Sequence, residues 1–175
     1  MKIALIAFAV LVALVLGVAG IGYTLPVRHR ASRQITVRAS PDSVFTAITM
    51  PPNFPAWRSK VTKVEMVAAP SGRTSYREDG GDGPILYEVD ESVRPSRLVT
   101  RIADTSLPFG GTWTFDLSPA AEGTTVRITE DGEVYNPIFR FVSRFIMGHS
   151  STIDTYLGDL GKRFGTTGEI TPAST

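Results

Sequence analysis

The residues from Ile3 to Leu25 form an unbroken run of 23 positions without a charged side chain, and no other feature of this sequence restricts its fold as strongly. As a helix the run spans ~35 Å at about 1.5 Å per residue, more than the roughly 30 Å of a bilayer's hydrocarbon core. Tyr23 stands near its end, where an interfacial aromatic belongs. The run reads as an N-terminal transmembrane anchor over residues 1–26, followed by a basic linker over residues 27–33. The competing reading is a cleaved signal peptide, with Lys2 as a minimal basic start and Gly17-Val18-Ala19 or Val18-Ala19-Gly20 as a small-residue cleavage site. Against it, a signal core runs about 7–15 residues, whereas the apolar character here continues past those points through Ile21. Arg28, Arg30 and Arg33 follow the run and only Lys2 precedes it, so the positive-inside tendency puts the rest of a single-pass chain in the cytoplasm. Cleavage would instead leave it secreted or periplasmic.

What remains of the 175 residues suits one domain of ordinary size. Its charges nearly cancel, with 18 basic residues against 17 acidic and no basic stripe, so nucleic acid is not an expected partner. Cysteine is absent, which excludes disulfides, thiolate catalysis and thiolate-bound metals. Two histidines, His29 and His149, are too few for a histidine-rich metal site, and neither a metal nor a cofactor is expected.

The hydrophobic period then sets the order of elements. Arg33 to Ala39 alternates as a strand, and Ser40-Pro41-Asp42 supplies an N-cap, a first-turn proline and a first-turn carboxylate for a short helix burying Val44, Phe45 and Ile48. Pro51, Pro52 and Pro55 end it and force a broken second helix around Phe54 and Trp57. From Val61 the period is two, giving strands at Lys63–Ala68, Arg73–Glu78, Ile85–Val93, Leu98–Ala103, Thr112–Leu117 and Thr124–Val134, an antiparallel meander by spacing. Asn136-Pro137 starts a long helix to about Arg163, with Ile138, Phe141, Val142, Phe145, Ile153, Tyr156, Leu157 and Leu160 spaced at three and four. The domain thus covers residues 34–165, and residues 166–175 read as a disordered, solvated tail. The fold class is α+β: about seven antiparallel strands curved around one long C-terminal helix, because no other element is available to cover the sheet's apolar face.

The stretch Ile35-Thr36-Val37-Arg38-Ala39-Ser40-Pro41-Asp42-Ser43-Val44-Phe45 resembles the opening of the SRPBCC superfamily, the helix-grip group that includes START-like lipid-binding and polyketide cyclase/dehydrase-like domains. Pro55-Ala56-Trp57, Arg97-Leu98-Val99, Gly111-Thr112-Trp113-Thr114-Phe115 and Thr125–Glu130 continue the likeness in order, over roughly Ala31 to Phe164. The resemblance implies a helix-grip fold and a cavity between sheet and C-terminal helix. The function it implies is binding or transfer of a hydrophobic small molecule, lipid-like or aromatic, at a membrane. The alternative is an enzyme of the polyketide cyclase/dehydrase type in which a pocket carboxylate or histidine moves protons. The oxygenase branch of the superfamily needs an iron triad that this sequence lacks.

The residues expected to line such a cavity are Tyr76, Tyr87, Val89, Trp113, Phe115, Ile128, Phe141 and Phe145; plain core packing is the competing reading for each. Glu130 shares a face with Val126 and Ile128, which turns a carboxylate inward as a candidate acid or base, or leaves it paired with an arginine at the rim. His149, four residues beyond Phe145, is the other candidate proton carrier, with a hydrogen-bonded structural histidine as the competing and commoner reading. Glu78 and Glu91 are assigned to inner faces with Tyr76 and Val89, Arg101 and Arg127 to the outer face, and Asp154 and Asp159 to the exposed side of the last helix. No confident catalytic set emerges, so binding without covalent catalysis is the first reading and enzymatic activity the second. Deleting residues 1–25 is expected to give a soluble, folded domain; a product that stays in the membrane pellet after a carbonate wash would contradict this.

Overall fold

The structure, a computed structural model, describes residues 2–69, 71–81, 83–148, 150–166 and 168–173. The apolar run is one helix, α1 (Lys2–Thr24), long and apolar enough to cross a bilayer, though a signal sequence at an N-terminus meets the same test. The strand β1 (Arg28–Val37) follows almost at once, then α2 (Pro41–Ile48) and a 3₁₀ turn at Pro51–Ala56. The Ser40 hydroxyl accepts from the Ser43 amide and Pro41 opens the helix, as its cap sequence dictates.

Six strands come next: β2 (Val61–Ala68), β3 (Thr74–Gly80), β4 (Gly83–Val93), β5 (Arg97–Ile102), β6 (Phe109–Ala120) and β7 (Gly123–Val134). A two-residue β8 (Thr171–Pro172) completes one eight-stranded sheet in the order β2-β3-β4-β5-β6-β7-β1-β8. Every pairing is antiparallel. Two regions depart from the sequence reading. Residues 28–33, expected as a linker, are the first half of β1 and pair with β7 from Glu133 to Ile128, which satisfies their backbone groups. The tail expected to be solvated returns to the sheet, where Thr171 and Pro172 pair with Gln34 and Arg33 and Ile170 packs on the core.

The last helix is shorter than its apolar period predicts. Asn136 caps α3 (Pro137–Val142) with its side-chain oxygen, a π-helical turn follows at Ser143–Met147, and Gly148 ends the helix with φ 76°, a left-handed conformation that glycine adopts without steric cost. A separate helix, α4 (Ser151–Arg163), then begins. Ile153, Tyr156, Leu157 and Leu160 of α4 are buried on Ile35, Val37, Leu98, Phe115, Leu117, Val126 and Ile128 of the sheet and Val44, Phe45 and Ile48 of α2. Polar ties fix α4 in place. Arg33 Nη2 donates to Ser150 Oγ at 2.9 Å and its Nε lies 3.2 Å from Asp154 Oδ1. Asp159 is buried and accepts from both the Ser59 amide and its hydroxyl at 2.7 Å. Asp154 and Asp159, expected to be exposed, are therefore partnered, because α4 meets β1 on one flank and the Ser59 turn on the other.

Candidate functional site

Alternation along the paired strands puts one set of side chains on the face that α4 covers. Register aligns Tyr76 with Tyr87, Val89 with Thr100, Thr100 with Trp113, and Trp113 with Glu130. Phe115 pairs with Ile128 in the same way. Six of the eight expected lining residues thus share one concave face: Tyr76, Tyr87, Val89, Trp113, Phe115 and Ile128. Phe141 and Phe145 do not join them. Their rings pack on each other, 4.9 Å apart, on α3 and the π turn, and Phe145 is 60% exposed. The break at Gly148 carries this stretch away from the sheet.

Directly under α4 the space is filled. Tyr156 lies 5.4 Å from Phe115, 5.8 Å from Trp113 and 5.4 Å from Trp57, ring centre to ring centre. Toward β3 and β4 a second cluster joins Phe54, Val61 and Tyr76, with Tyr76 stacked on Tyr87 at 5.4 Å. Between the two, Trp57, Tyr87, Val89 and Trp113 remain half-buried, so the aromatic lining is covered only in part. Two concavities, of about 280 and 460 Å³, open elsewhere: one beside Leu25, Arg28 and Arg140, the other at the strand ends around Phe109, Gly111 and Glu133.

Polar groups inside this lining were only partly legible in the sequence. Arg58 Nη1 donates to Glu78 Oε2 at 2.5 Å, with both side chains largely withdrawn from solvent. The guanidinium also sits 4.7 Å from the Tyr156 ring centre and 5.1 Å from that of Phe54. The inward face of Glu78 is legible from alternation; Arg58 is not, since one arginine after a proline-broken turn carries no periodic signal. Trp57 Nε1 is buried without a hydrogen-bond partner among the described residues, an unmet donor on the same wall. Burial pushes the Tyr76 and Tyr156 phenols above the ordinary tyrosine range, reinforced at Tyr76 by the Glu78 charge and opposed at Tyr156 by the Arg58 charge.

Glu130 faces inward as alternation predicts, and its Oε1 lies 3.7 Å from His29 Nε2. The histidine beside it is thus His29 of β1, while His149 lies outside the described residues. Glu91 is a correction. A bulge between Val89 and Glu91 adds a residue, reverses the alternation and turns Glu91 outward to Arg97 Nε at 3.2 Å. Arg101 is on the outer face as expected, paired with Glu88 and Asp90, and Arg127 is exposed. Among the described residues no group of three histidine or carboxylate side chains is arranged to hold a metal.

The family model described as "Polyketide cyclase / dehydrase and lipid transport" matches residues 28–154. No curated protein matches the sequence. Solved structures share the fold at low identity. A START superfamily protein from Mycobacterium smegmatis is 17% identical with a TM-score of 0.63, over 78% of this chain and 97% of that one. Ginseng major latex-like protein 151 from Panax ginseng is 12% identical with a TM-score of 0.61, over 79% and 99%. The di-domain ARO/CYC BexL from the BE-7585A biosynthetic pathway is 13% identical with a TM-score of 0.63, over 83% of this chain and 52% of that one.

Glu78→Ala is expected to cost about 3–5 kcal/mol, because Arg58 then stays buried without its counter-charge. The pair Arg58→Met with Glu78→Leu recovers most of that loss; urea unfolding in which single and double variants are equally unstable would contradict the assignment. Because the folded-state pKa of Tyr76 and Tyr156 lies above the unfolded value, their contribution to stability is intact below about pH 10 and is lost as pH rises further. In a phenolate absorbance titration these two ionise only as the fold melts; reversible ionisation of all five tyrosines at the ordinary value would count against this.

Proposed function

We propose, because the chain belongs to the polyketide cyclase/dehydrase and lipid transport family, that it binds or transfers an apolar small molecule, lipid-like or aromatic, on the concave face of its sheet while α1 tethers it to a membrane. The observation that carries the reading is the aromatic wall that α4 leaves half-covered, formed by Trp57, Tyr87, Val89 and Trp113. A wall of this kind loses water-exposed apolar area when a ligand lies on it, at roughly 25 cal/mol per Å². The unmet Trp57 Nε1 offers a donor to an acceptor oxygen on the ligand, relieving a cost of about 1–3 kcal/mol. The tether rests on α1, whose mean hydropathy and length fit a span and whose side chains are almost all exposed. Among the proteins sharing the fold, the di-domain ARO/CYC BexL comes from a biosynthetic pathway and the Mycobacterium smegmatis protein is of the START superfamily.

A second reading is favoured by one observation: Glu130 Oε1 and His29 Nε2, 3.7 Å apart at the edge of the same wall, form a carboxylate–imidazole pair suited to moving a proton next to Trp113. In that reading Glu130→Gln removes turnover of a reactive polyketone chain and leaves its binding unchanged.

Native mass spectrometry after mild extraction is expected to find a co-purified lipid or apolar molecule, and the stripped protein is expected to bind ANS. Trp113→Ala is expected to lose about 2 kcal/mol of affinity, roughly thirtyfold, with a smaller loss of folding stability. Equal losses in ligand titration and thermal melt would overturn the pocket role and leave Trp113 as core.

A further inference from the structure

Among the described side chains, none of residues 137–146 enters the sheet's core, and α3 packs on the apolar helix α1. Gly22 of α1 is buried against it, so close that a Cβ there would lie 1.9 Å from the Pro137 carbonyl oxygen. Only glycine permits this crossing. Arg140 then reaches over the end of α1: its Nη1 donates to the Leu25 carbonyl at 2.9 Å and the Gly22 carbonyl at 3.3 Å, and its Nη2 to the Tyr135 carbonyl at 3.1 Å. The Gly22 carbonyl belongs to the last turn of α1 and the Leu25 carbonyl lies just beyond it, where intrahelical partners run out. The amide of Val134 also donates to the Val27 carbonyl at 2.9 Å, so the chain leaving α1 is bonded to β7 with no loose joint.

The depth of this segment follows. If α1 spans a bilayer, its last turn lies at the headgroup level, and α3 and the π turn, bolted to that turn, lie there too. They present the side chains that such a level accepts. Phe139 is 52% exposed, Phe145 60% and Ile146 71%, with Ile138 beside them, a cluster that water disfavours. Arg140 and Arg144 alternate with these aromatics, and no carboxylate pairs with either among the described residues. Exposed aromatics flanked by Arg140, which caps α1, and by Arg144, which meets no carboxylate among the described residues, are continuous with the exposed apolar surface of α1 and match the composition of interfacial amphipathic helices.

We propose that Pro137–Met147 is an interfacial membrane-docking element: Phe139, Phe145 and Ile146 enter the headgroup–acyl boundary of the bilayer that α1 crosses, and Arg144 meets anionic lipid headgroups. The element fixes the orientation of the whole sheet, because β7 runs directly into it and β1 starts from the end of α1 against which it packs. The ends of these strands carrying His29 and Gly132 face the bilayer, which sets the distance an apolar ligand travels between lipid and the concave wall. The inference rests on reading α1 as a retained span.

The sequence contains no cysteine, so single positions can be labelled in the full chain. An environment-sensitive fluorophore is placed in turn on Leu11→Cys, Phe145→Cys, Ile146→Cys and Ala121→Cys, and the protein is reconstituted in phosphatidylcholine vesicles containing phosphatidylglycerol. Labels at Leu11, Phe145 and Ile146 are expected to be blue-shifted and quenched by nitroxides on the lipid chains, while the label at Ala121, on the β6–β7 turn, is quenched by aqueous iodide. Arg144→Glu in the Phe145→Cys background is expected to reduce the lipid quenching, as does raised salt; indifference to both overturns the headgroup contact. Iodide quenching at both Phe145 and Ile146 with lipid quenching at Leu11 overturns the docking element and leaves the anchor standing. Shielding of both positions from either quencher means a protein partner or second copy covers them and likewise overturns it. Iodide quenching at Leu11 overturns the span itself and the inference with it.

Discussion

The rest of the molecule depends on the closure of α4 on the concave face. A single antiparallel sheet with one apolar side has to bury that side, and here Ile153, Tyr156, Leu157 and Leu160 provide most of the cover. Two polar ties, Arg33 to Ser150 and Asp154, and Asp159 to Ser59, hold the helix at one position along the strands. α4 covers the core residues of β1, β5, β6 and β7, while Trp57, Tyr87, Val89 and Trp113 keep partly exposed edges between the two clusters.

The same wall shows how buried polarity is handled. Arg58 is held between Tyr156 and Phe54 with Glu78 as its counter-charge, an arrangement that satisfies both ions away from water. Desolvation raises the neighbouring Tyr76 and Tyr156 phenols further above their ordinary range. Glu130 has His29 beside it, supplied by the strand that follows α1. The polar groups therefore cluster at the rim and between the two aromatic clusters, with the apolar area between them.

At the other end, the chain from Asn136 to Gly148 was periodic enough to pass for the first half of a long helix, and its apolar residues do recur at three and four. They face α1 and the surroundings, because Gly148 takes a left-handed turn and redirects the axis. A hydrophobic period identifies a face and leaves its partner unnamed. Phe141 and Phe145 therefore pack on each other and not on the sheet, and the tail's return as β8 leaves no sequence pattern because only two residues pair.

Some features needed only the sequence. The length of the apolar run, the Ser40-Pro41 and Asn136-Pro137 helix starts, the six-strand meander and the inward facing of Tyr76, Trp113 and Glu130 all follow from local rules, since caps, breakers and period-two alternation act within a few residues. Tertiary structure alone decided the rest. A bulge at β4 turned Glu91 outward, a glycine broke the last helix, Arg58 found Glu78 twenty residues away, and His29 reached Glu130 across two paired strands. Each of these depends on which surfaces meet, and contacts between residues distant in sequence are set by the packing of whole elements, which no local pattern encodes.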